Sequence, residues 1–255
     1  MTKAIILAAG AGRRLRPYAD DRPKGMVELW GKPLLHYQLE TLAGEGIDNI
    51  VVVTGYKADQ INHPDIHLRC INNPRWETTN MVVSLFSAVN ELNGDVIVSY
   101  ADIVYQKSLL KNLLLSDSMN SVVVDTGFKS YWEMRFDNPL SDVESLEMSE
   151  NLEITNIGQK VESIEDVQAQ YIGLMKFASE GTEILRNFLD GLAKVEGFDD
   201  MYMTDLLQYM IDNGHNVKAV TCHHGWLEVD TVSDLKNYQM MMKDGSIKRF
   251  FDQEE

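Results

Sequence analysis

Cysteine, proline and positive charge are all scarce in this chain, and each scarcity closes off a class of answer. The two cysteines among 255 residues, Cys70 and Cys222, stand far apart and in no metal-ligand spacing. They supply neither a disulfide framework nor a thiolate zinc cluster, and free thiols in a reducing cytosol are the expectation. The six prolines form no Pro/Ser-rich tract, so no linker is expected, and the chain shows no internal repeat or low-complexity segment. No apolar run is long enough to span a bilayer. The first residues lack the apolar stretch and small-residue cleavage site of a signal peptide, so a cytoplasmic location is expected. Lysine and arginine number 23 against 39 acidic residues, a formal net charge of −16. That balance disfavours nucleic acid or an anionic membrane as partner.

What is present is ordinary in amount and uneven in distribution. A hydrophobic content of 44% and 255 residues suffice for a sizeable core, read as a single domain over 1–255 with a nucleotide-binding half (1–128) and an acceptor-binding half (129–255). Residues 1–36 hold seven basic side chains (Lys3, Arg13, Arg14, Arg16, Arg22, Lys24 and Lys32) against three acidic ones (Asp20, Asp21 and Glu28), a local +4. A charged run alone is usually a solvated surface. This one coincides with a glycine loop, which points to a small anionic substrate.

Hydrophobic periodicity predicts strands at the short apolar runs Lys3–Ala8, Asn49–Thr54, Asp95–Tyr100 and Ser121–Asp125, with His67–Asn72 as a further candidate. Helices are predicted at 33–43, with Pro33 opening the first turn and Leu35, Leu39 and Leu42 at helical spacing, at about 79–92, and at 107–115. This alternation implies an α/β fold with a Rossmann-like, mostly parallel mixed sheet flanked by helices. Residues 139–166 carry eight acidic residues and one lysine and read as a β-rich excursion in the C-terminal half. A long strand at 169–177, helices at 180–195 and 202–213, a strand at 217–221 and a helix at 233–242 complete the pattern.

The chemistry concentrates after the first strand. Leu7, Ala8, Ala9, Gly10, Ala11, Gly12 and Arg13 run directly out of it, and the glycines let backbone N–H groups approach a phosphate chain. Arg14 can fork onto phosphate oxygens. Lys24, after Pro23, can place an ammonium on a phosphorus under attack, as phosphoryl-type transfer demands. A dinucleotide fingerprint would need glycine where Leu15 stands, and a Walker A loop would need Gly-Lys-Ser/Thr; neither is present. Asp102 and Asp230 each follow an apolar run, at the strand edge where open α/β sheets place ligands. Such aspartates are either caps and turn residues or, as a pair, the holders of one Mg²⁺.

The string from Leu7 to Pro17 (Leu-Ala-Ala-Gly-x-Gly-x-Arg-Leu-x-Pro), then Pro23-Lys24-Gly25-Met26-Val27 and Gly31-Lys32-Pro33-Leu34-Leu35, resembles the signature of the sugar-phosphate nucleotidyltransferase superfamily. The usual Ser/Thr before the arginine is Arg13 here. The resemblance extends over nearly the whole chain. It implies the nucleotide-diphospho-sugar transferase type of fold, Lys24 and Arg14 as catalytic residues, a loop Leu7–Arg13 that binds nucleotide, and Asp102 and Asp230 as ligands of Mg²⁺.

Within that superfamily the chain is similar to the cytidylyltransferase branch. Asn73-Pro74-Arg75-Trp76-Glu77-Thr78-Thr79-Asn80-Met81 and Trp226-Leu227-Glu228-Val229-Asp230 look like the choline-phosphate type. Ser99–Tyr105, Ala169–Leu174 and Met201–Thr204 look like the phosphoglutamine type of bacterial capsule phosphoramidate pathways. The likeness implies CTP as donor, with CMP transferred and pyrophosphate released.

The acceptor is expected after the strand ending at Asp125. Tyr131 and Trp132 could cage a quaternary ammonium, whereas Lys129 and Arg135 would suit a second anionic group. The expectation leans to the latter, a phosphoglutamine-like phosphoramidate or a phosphonate, with phosphocholine or a sugar 1-phosphate as alternatives. Gln170, Tyr171 and Glu228 are expected around the acceptor, Glu228 also as an auxiliary to the two aspartates, and Asn80 and Ser84 to face the base or phosphates, Asn80 alternatively being a helix cap. His223 and His224, on a strand, would point to opposite faces and share no metal. A homodimer is the candidate assembly. The non-enzymatic alternative is a silent, nucleotide-sensing relative.

Overall fold

Alternate burial along the first strand sets up both layers of the molecule. The computed structural model describes residues 2–253. Strand β1 (Lys3–Ala8) is buried throughout. Its Ala4, Ile6 and Ala8 enter one apolar cluster, and Ile5 and Leu7 enter another on the opposite side, as a period of two requires. After it come the short β2 (Glu28–Leu29) and β3 (Lys32–Pro33), helix α1 (Leu34–Gly44), β4 (Ile50–Thr54) and β5 (Arg69–Asn72). Helix α2 (Met81–Ser87), β6 (Val96–Tyr100), β7 (Ile103–Tyr105), α3 (Lys107–Leu115) and β8 (Asn120–Asp125) follow. The chain continues through α4 (Phe128–Arg135), β9 (Glu144–Met148), β10 (Ile154–Lys160), β11 (Gln170–Phe177) and α5 (Ser179–Leu192). It ends with α6 (Met203–Asp212), β12 (Lys218–Cys222), β13 (Trp226–Glu228) and α7 (Val232–Asp244).

Seven strands form one sheet in the order β12-β8-β11-β6-β1-β4-β5. β11 runs antiparallel to β6 and β8, while the other pairings are parallel. This is the mostly parallel mixed sheet the alternation implied. Side chains of α1, α3, α4 and α7 join the first apolar cluster, and those of α2, α5 and α6 the second. From β1 the chain winds outward to β4 and β5, then returns to lay β6 on the other side of β1. That reversal between β1 and β6 is the switch point where a crevice opens beyond the strand ends.

Two details differ from the sequence reading. Helix α2 spans Met81–Ser87 rather than 79–92, and a 3-10 turn follows at Val89–Glu91. The Asn80 N–H is held by the Asp199 carbonyl at 2.7 Å, which keeps residue 80 outside the helix. Pro33 sits just before α1 rather than in its first turn. The excursion is a β9–β10 antiparallel hairpin, packed against α6 by the bond from the Ile157 N–H to Gln208 Oε1 at 2.8 Å. No helix of the described residues is long and apolar enough to cross a membrane.

Candidate active site

At the carboxyl end of β1 the chain leaves the sheet as a loop and turns at Gly12, whose φ is +58°. A side chain there would cost about 1–2 kcal/mol for the left-handed backbone, and its Cβ would lie 3.1 Å from Lys24 Cβ. Gly12 therefore lets the loop lie against Lys24. At Gly10 a Cβ would meet no protein atom within 4 Å, so that backbone is bare towards the crevice. Leu15, fully buried, anchors the far side of the loop.

The two aspartates are 128 residues apart in sequence and meet through β-pairing. β7 pairs antiparallel with β13, Ile103 opposite Glu228, and the Val229 N–H donates to the Asp102 carbonyl at 2.9 Å. Asp102 in the turn after β6 and Asp230 after β13 thus face each other across the mouth of the glycine loop. Lys24 Nζ lies between them, 2.5 Å from Asp102 Oδ2 and 2.6 Å from Asp230 Oδ1. Arg14 Nη2 reaches Asp230 Oδ2 at 2.6 Å. Burial alone would pull the Lys24 ammonium's pKa down. The Asp102, Asp230 and Glu228 carboxylates more than reverse this, so the lysine stays charged. Burial likewise raises Asp230, but Lys24 and Arg14 hold its carboxyl below the ordinary value.

Asp102 Oδ1 is buried without a hydrogen-bond partner. An orphaned carboxylate oxygen beside a second carboxylate is a donor set that suits a hard cation such as Mg²⁺. Both aspartates are only 7% exposed. The ammonium of Lys24 lies between them, which separates this arrangement from the expectation of a lysine already directed at phosphate.

A cavity of about 270 Å³ lies over the loop, lined by Leu7, Ala8, Ala9, Gly10, Gly12, Arg13 and Arg14. Lys24, Asp102 and Asp230 share it, as do Asn80 and Ser84. Of the expected loop residues, Ala11 does not line it. Arg13 is exposed and weakly paired with Glu77 at 3.7 Å, so the departure at this position buries no charge. Asn80 donates to the Asp200 carbonyl, and the Ser84 hydroxyl accepts from Asn73 at 3.1 Å. Trp76 also lines the cavity. The signal for it was Gly55: a Cβ there would lie 2.6 Å from Trp76 and 2.7 Å from the Ala9 carbonyl, so only glycine lets this ring close on the loop.

A second cavity, of about 200 Å³, adjoins the first and shares Met81 and Tyr100 with it. Trp132, Gln170, Tyr171 and Glu228, the residues expected around the acceptor, line it together with Asp142, Glu144 and Thr204, which the sequence did not single out. Burial and the nearby Asp102 and Asp230 carboxylates push Glu228 up to about 7, against the downward pull of the Arg135 guanidinium.

The expected cations are not in this cavity. On α4 the residues Phe128, Tyr131, Trp132 and Arg135 form the buried face, with the i, i+3, i+4, i+7 spacing of one helical stripe. Arg135 is therefore turned inward, with Nη1 2.6 Å from Glu228 Oε2 and Nε 3.1 Å from Asp234 Oδ1. Lys129, on the outer side, pairs with Glu165 at 2.5 Å. Tyr131 is no cage wall either. It is 1% exposed, bonds Tyr238 through its hydroxyl, and holds the Arg135 guanidinium 5.3 Å from its ring. His223 and His224 do not point to opposite faces, their rings being 4.6 Å apart. β12 ends at Cys222 and His224 takes a positive φ of 64°, so strand alternation no longer applies. Among the described residues no group of three or more His, Cys, Asp or Glu side chains is placed to hold a metal.

Residues 4–133 match the family model described as the MobA-like NTP transferase domain. The chain is 39% identical over 248 residues to CTP:phosphoglutamine cytidylyltransferase of Campylobacter jejuni, covering 91% of this chain and 97% of that one. It is 35% identical over 122 residues to choline-phosphate cytidylyltransferase of Streptococcus pneumoniae, covering 47% of this chain and 53% of that one. In fold it is similar to the inositol-1-phosphate CTP transferase of T. maritima, with a TM-score of 0.77 at 22% identity, covering 99% of this chain and 98% of that one.

Proposed function

Because the chain belongs to the MobA-like NTP transferase family and is a nucleotidyltransferase of the cytidylyltransferase type, we propose that it transfers CMP from CTP to a small phosphorylated acceptor. In this reading the acceptor is a phosphoramidate of the phosphoglutamine type or a phosphonate, and pyrophosphate leaves. One domain over 1–255 serves the reaction, its first half holding nucleotide and its second half the acceptor. The observation that carries the reading is the Lys24 ammonium set between Asp102 and Asp230 at the mouth of the glycine loop. Together they concentrate the charged groups a triphosphate requires.

An oxygen of the acceptor's phosphate or phosphonate attacks the α-phosphorus of CTP, forming the new P–O bond as the bond to the β-phosphate oxygen breaks. The acceptor is ionised near neutral pH, so no general base is needed. The work of the protein is to bring two anions together and stabilise the charge that spreads at phosphorus. The loop N–H groups and Arg14 hold the triphosphate, and Lys24, released from its two carboxylates, supplies positive charge to the phosphoryl group. Asp102 and Asp230 would hold Mg²⁺, which supplies Lewis-acid polarisation of phosphate oxygens when bound.

The proposal is tested by pyrophosphate release with each of CTP, UTP, GTP and ATP, crossed with phosphoglutamine, 2-aminoethylphosphonate, phosphocholine and hexose 1-phosphates. CTP with Mg²⁺ is expected to give the signal, and chelation of the metal to abolish it. A signal confined to UTP and a hexose phosphate would overturn it, and silence with every pair would favour a nucleotide-sensing relative.

A further inference from the structure

The first cavity has two unlike sides. The loop and its neighbours bring charge to it, through Arg13, Arg14, Lys24, Asp102 and Asp230, whereas the segment 76–84 brings only the uncharged Trp76, Thr79, Asn80, Met81 and Ser84. A nucleoside triphosphate has the same division, and the uncharged side suits its base. On that side the polar groups are not free to turn.

Asn73 sits behind the cavity, 1% exposed and outside its lining. Its Oδ1 accepts the Arg75 backbone N–H at 2.9 Å. A backbone N–H can only donate, so this bond fixes which way the amide faces. The Nδ2 amino group is thereby turned to two hydroxyls, Thr79 Oγ1 at 3.2 Å and Ser84 Oγ at 3.1 Å. Thr79 gives its own proton to the Arg75 carbonyl at 2.8 Å. Ser84 accepts from Asn73 and donates to no group among the described hydrogen bonds. It lines the cavity while only 6% exposed, and a hydroxyl proton so enclosed calls for an acceptor on whatever fills that cavity.

Asn80 is fixed in the opposite sense. Its Nδ2 donates to the Asp200 carbonyl at 2.9 Å, a group that can only accept, so its Oδ1 is left as an acceptor one helical turn before Ser84. A hydroxyl donor beside an amide acceptor matches one pyrimidine edge. Cytosine presents N3 as an acceptor and its 4-amino group as a donor; uracil presents N3–H as a donor and O4 as an acceptor.

We propose that Ser84 and Asn80 read the base of the nucleotide, Ser84 donating to N3 and Asn80 Oδ1 accepting from the 4-amino group, with Asn73 as the positioning residue that sets Ser84 as donor. This rests on the transferase reading above and gives its preference for CTP a cause. Uracil reverses both sites and leaves the enclosed Ser84 proton facing another proton.

Three nucleotides separate these contacts: CTP, UTP and the triphosphate of the pyrimidin-2-one riboside, which keeps the N3 acceptor and lacks the amino group. Each is followed by pyrophosphate release with Mg²⁺ and the phosphorylated acceptors named above. kcat/KM should fall from CTP to the pyrimidinone nucleotide to UTP, by about 10²-fold or more between the first and the last. Ser84→Ala removes the donor and should narrow the CTP-to-UTP ratio about tenfold, the pyrimidinone nucleotide losing with CTP. In Asn73→Asp an acceptor-only carboxylate draws the Ser84 proton away from the cavity, so the ratio should narrow there too, with more use of UTP than in Ser84→Ala. Equal use of CTP and UTP by the parent, or a ratio that both folded variants leave undiminished, would overturn the inference and leave nucleotidyl transfer standing. No pyrophosphate from any of the three nucleotides would overturn both.

Discussion

Lys24 is the residue on which the site turns. Its ammonium satisfies one oxygen of Asp102 and one of Asp230, and it lies where two carboxylates would otherwise repel. Lys24→Ala is expected to lower kcat/KM by about 10²–10³, the range for loss of one preorganised charge donor, with far-ultraviolet circular dichroism unchanged. Full activity in a folded Lys24→Ala protein would remove the lysine from the mechanism. Arg135 acts at a distance from the chemistry. It ties Glu228 to Asp234, and Asp234 Oδ2 accepts the N–H groups of Asp230 and Thr231 at 3.0 and 2.8 Å. Arg135→Met would strand buried carboxylates beside the Asp230 turn, a loss of about 3–5 kcal/mol to be read from urea unfolding. An unchanged urea midpoint would show that the pair carries no such weight.

At the scale of elements, the short β7–β13 pair does most to build the site, since it brings the backbone at Asp102 to that beside Asp230. Its approach is fixed by Asp125 at the end of β8. Asp125 accepts the His224 N–H at 2.9 Å, the Trp226 indole N–H at 3.0 Å and the Gly127 N–H at 2.7 Å. Burial raises its carboxyl, but the His224 ring, whose Nδ1 lies 3.4 Å from Oδ2, together with these bonds holds it below the ordinary value of 3.8. A depressed folded-state pKa contributes stability that is full above the unfolded value and lost as pH falls through the folded one. Asp125→Asn should therefore be less stable than the parent at pH 7 by about 1–3 kcal/mol. The two unfolding midpoints should converge below about pH 3.8, and a gap that stays constant with pH would contradict the assignment. β11 carries a second structural demand. Gly173 has φ +84°, and a Cβ there would lie 2.6 Å from the Tyr100 ring. Gly173→Ala is expected to displace that ring from the wall shared by both cavities. The measured consequence should be a raised acceptor KM.

Over the whole molecule, the parts legible in the sequence are those in which local pattern and burial agree. β1 and α3 have the bounds that their apolar runs and helical spacing predict. The loop was legible because glycine, arginine and Pro-Lys lie in one continuous stretch. What could not be read is what depends on packing between distant segments. Asp102 and Asp230 were individually visible, but their juxtaposition comes from a three-residue strand pair with no periodic signature. The stripe of Phe128, Tyr131, Trp132 and Arg135 was available in the spacing, and its helical reading would have turned Arg135 inward. Glu144 stood hidden in an acidic stretch, where nothing local separates a cavity carboxylate from a solvated one.

On the proposed reading, these distant parts assemble a site for transfer of CMP. That reading is tested most directly by incubating the protein with CTP labelled at the α-phosphate, Mg²⁺ and phosphoglutamine or 2-aminoethylphosphonate, and following the label. Label is expected in a CMP-linked product with one pyrophosphate released per transfer, and both should be lost in Lys24→Ala. Label that stays in CTP with every phosphorylated acceptor, or transfer that persists undiminished without Lys24, would contradict it.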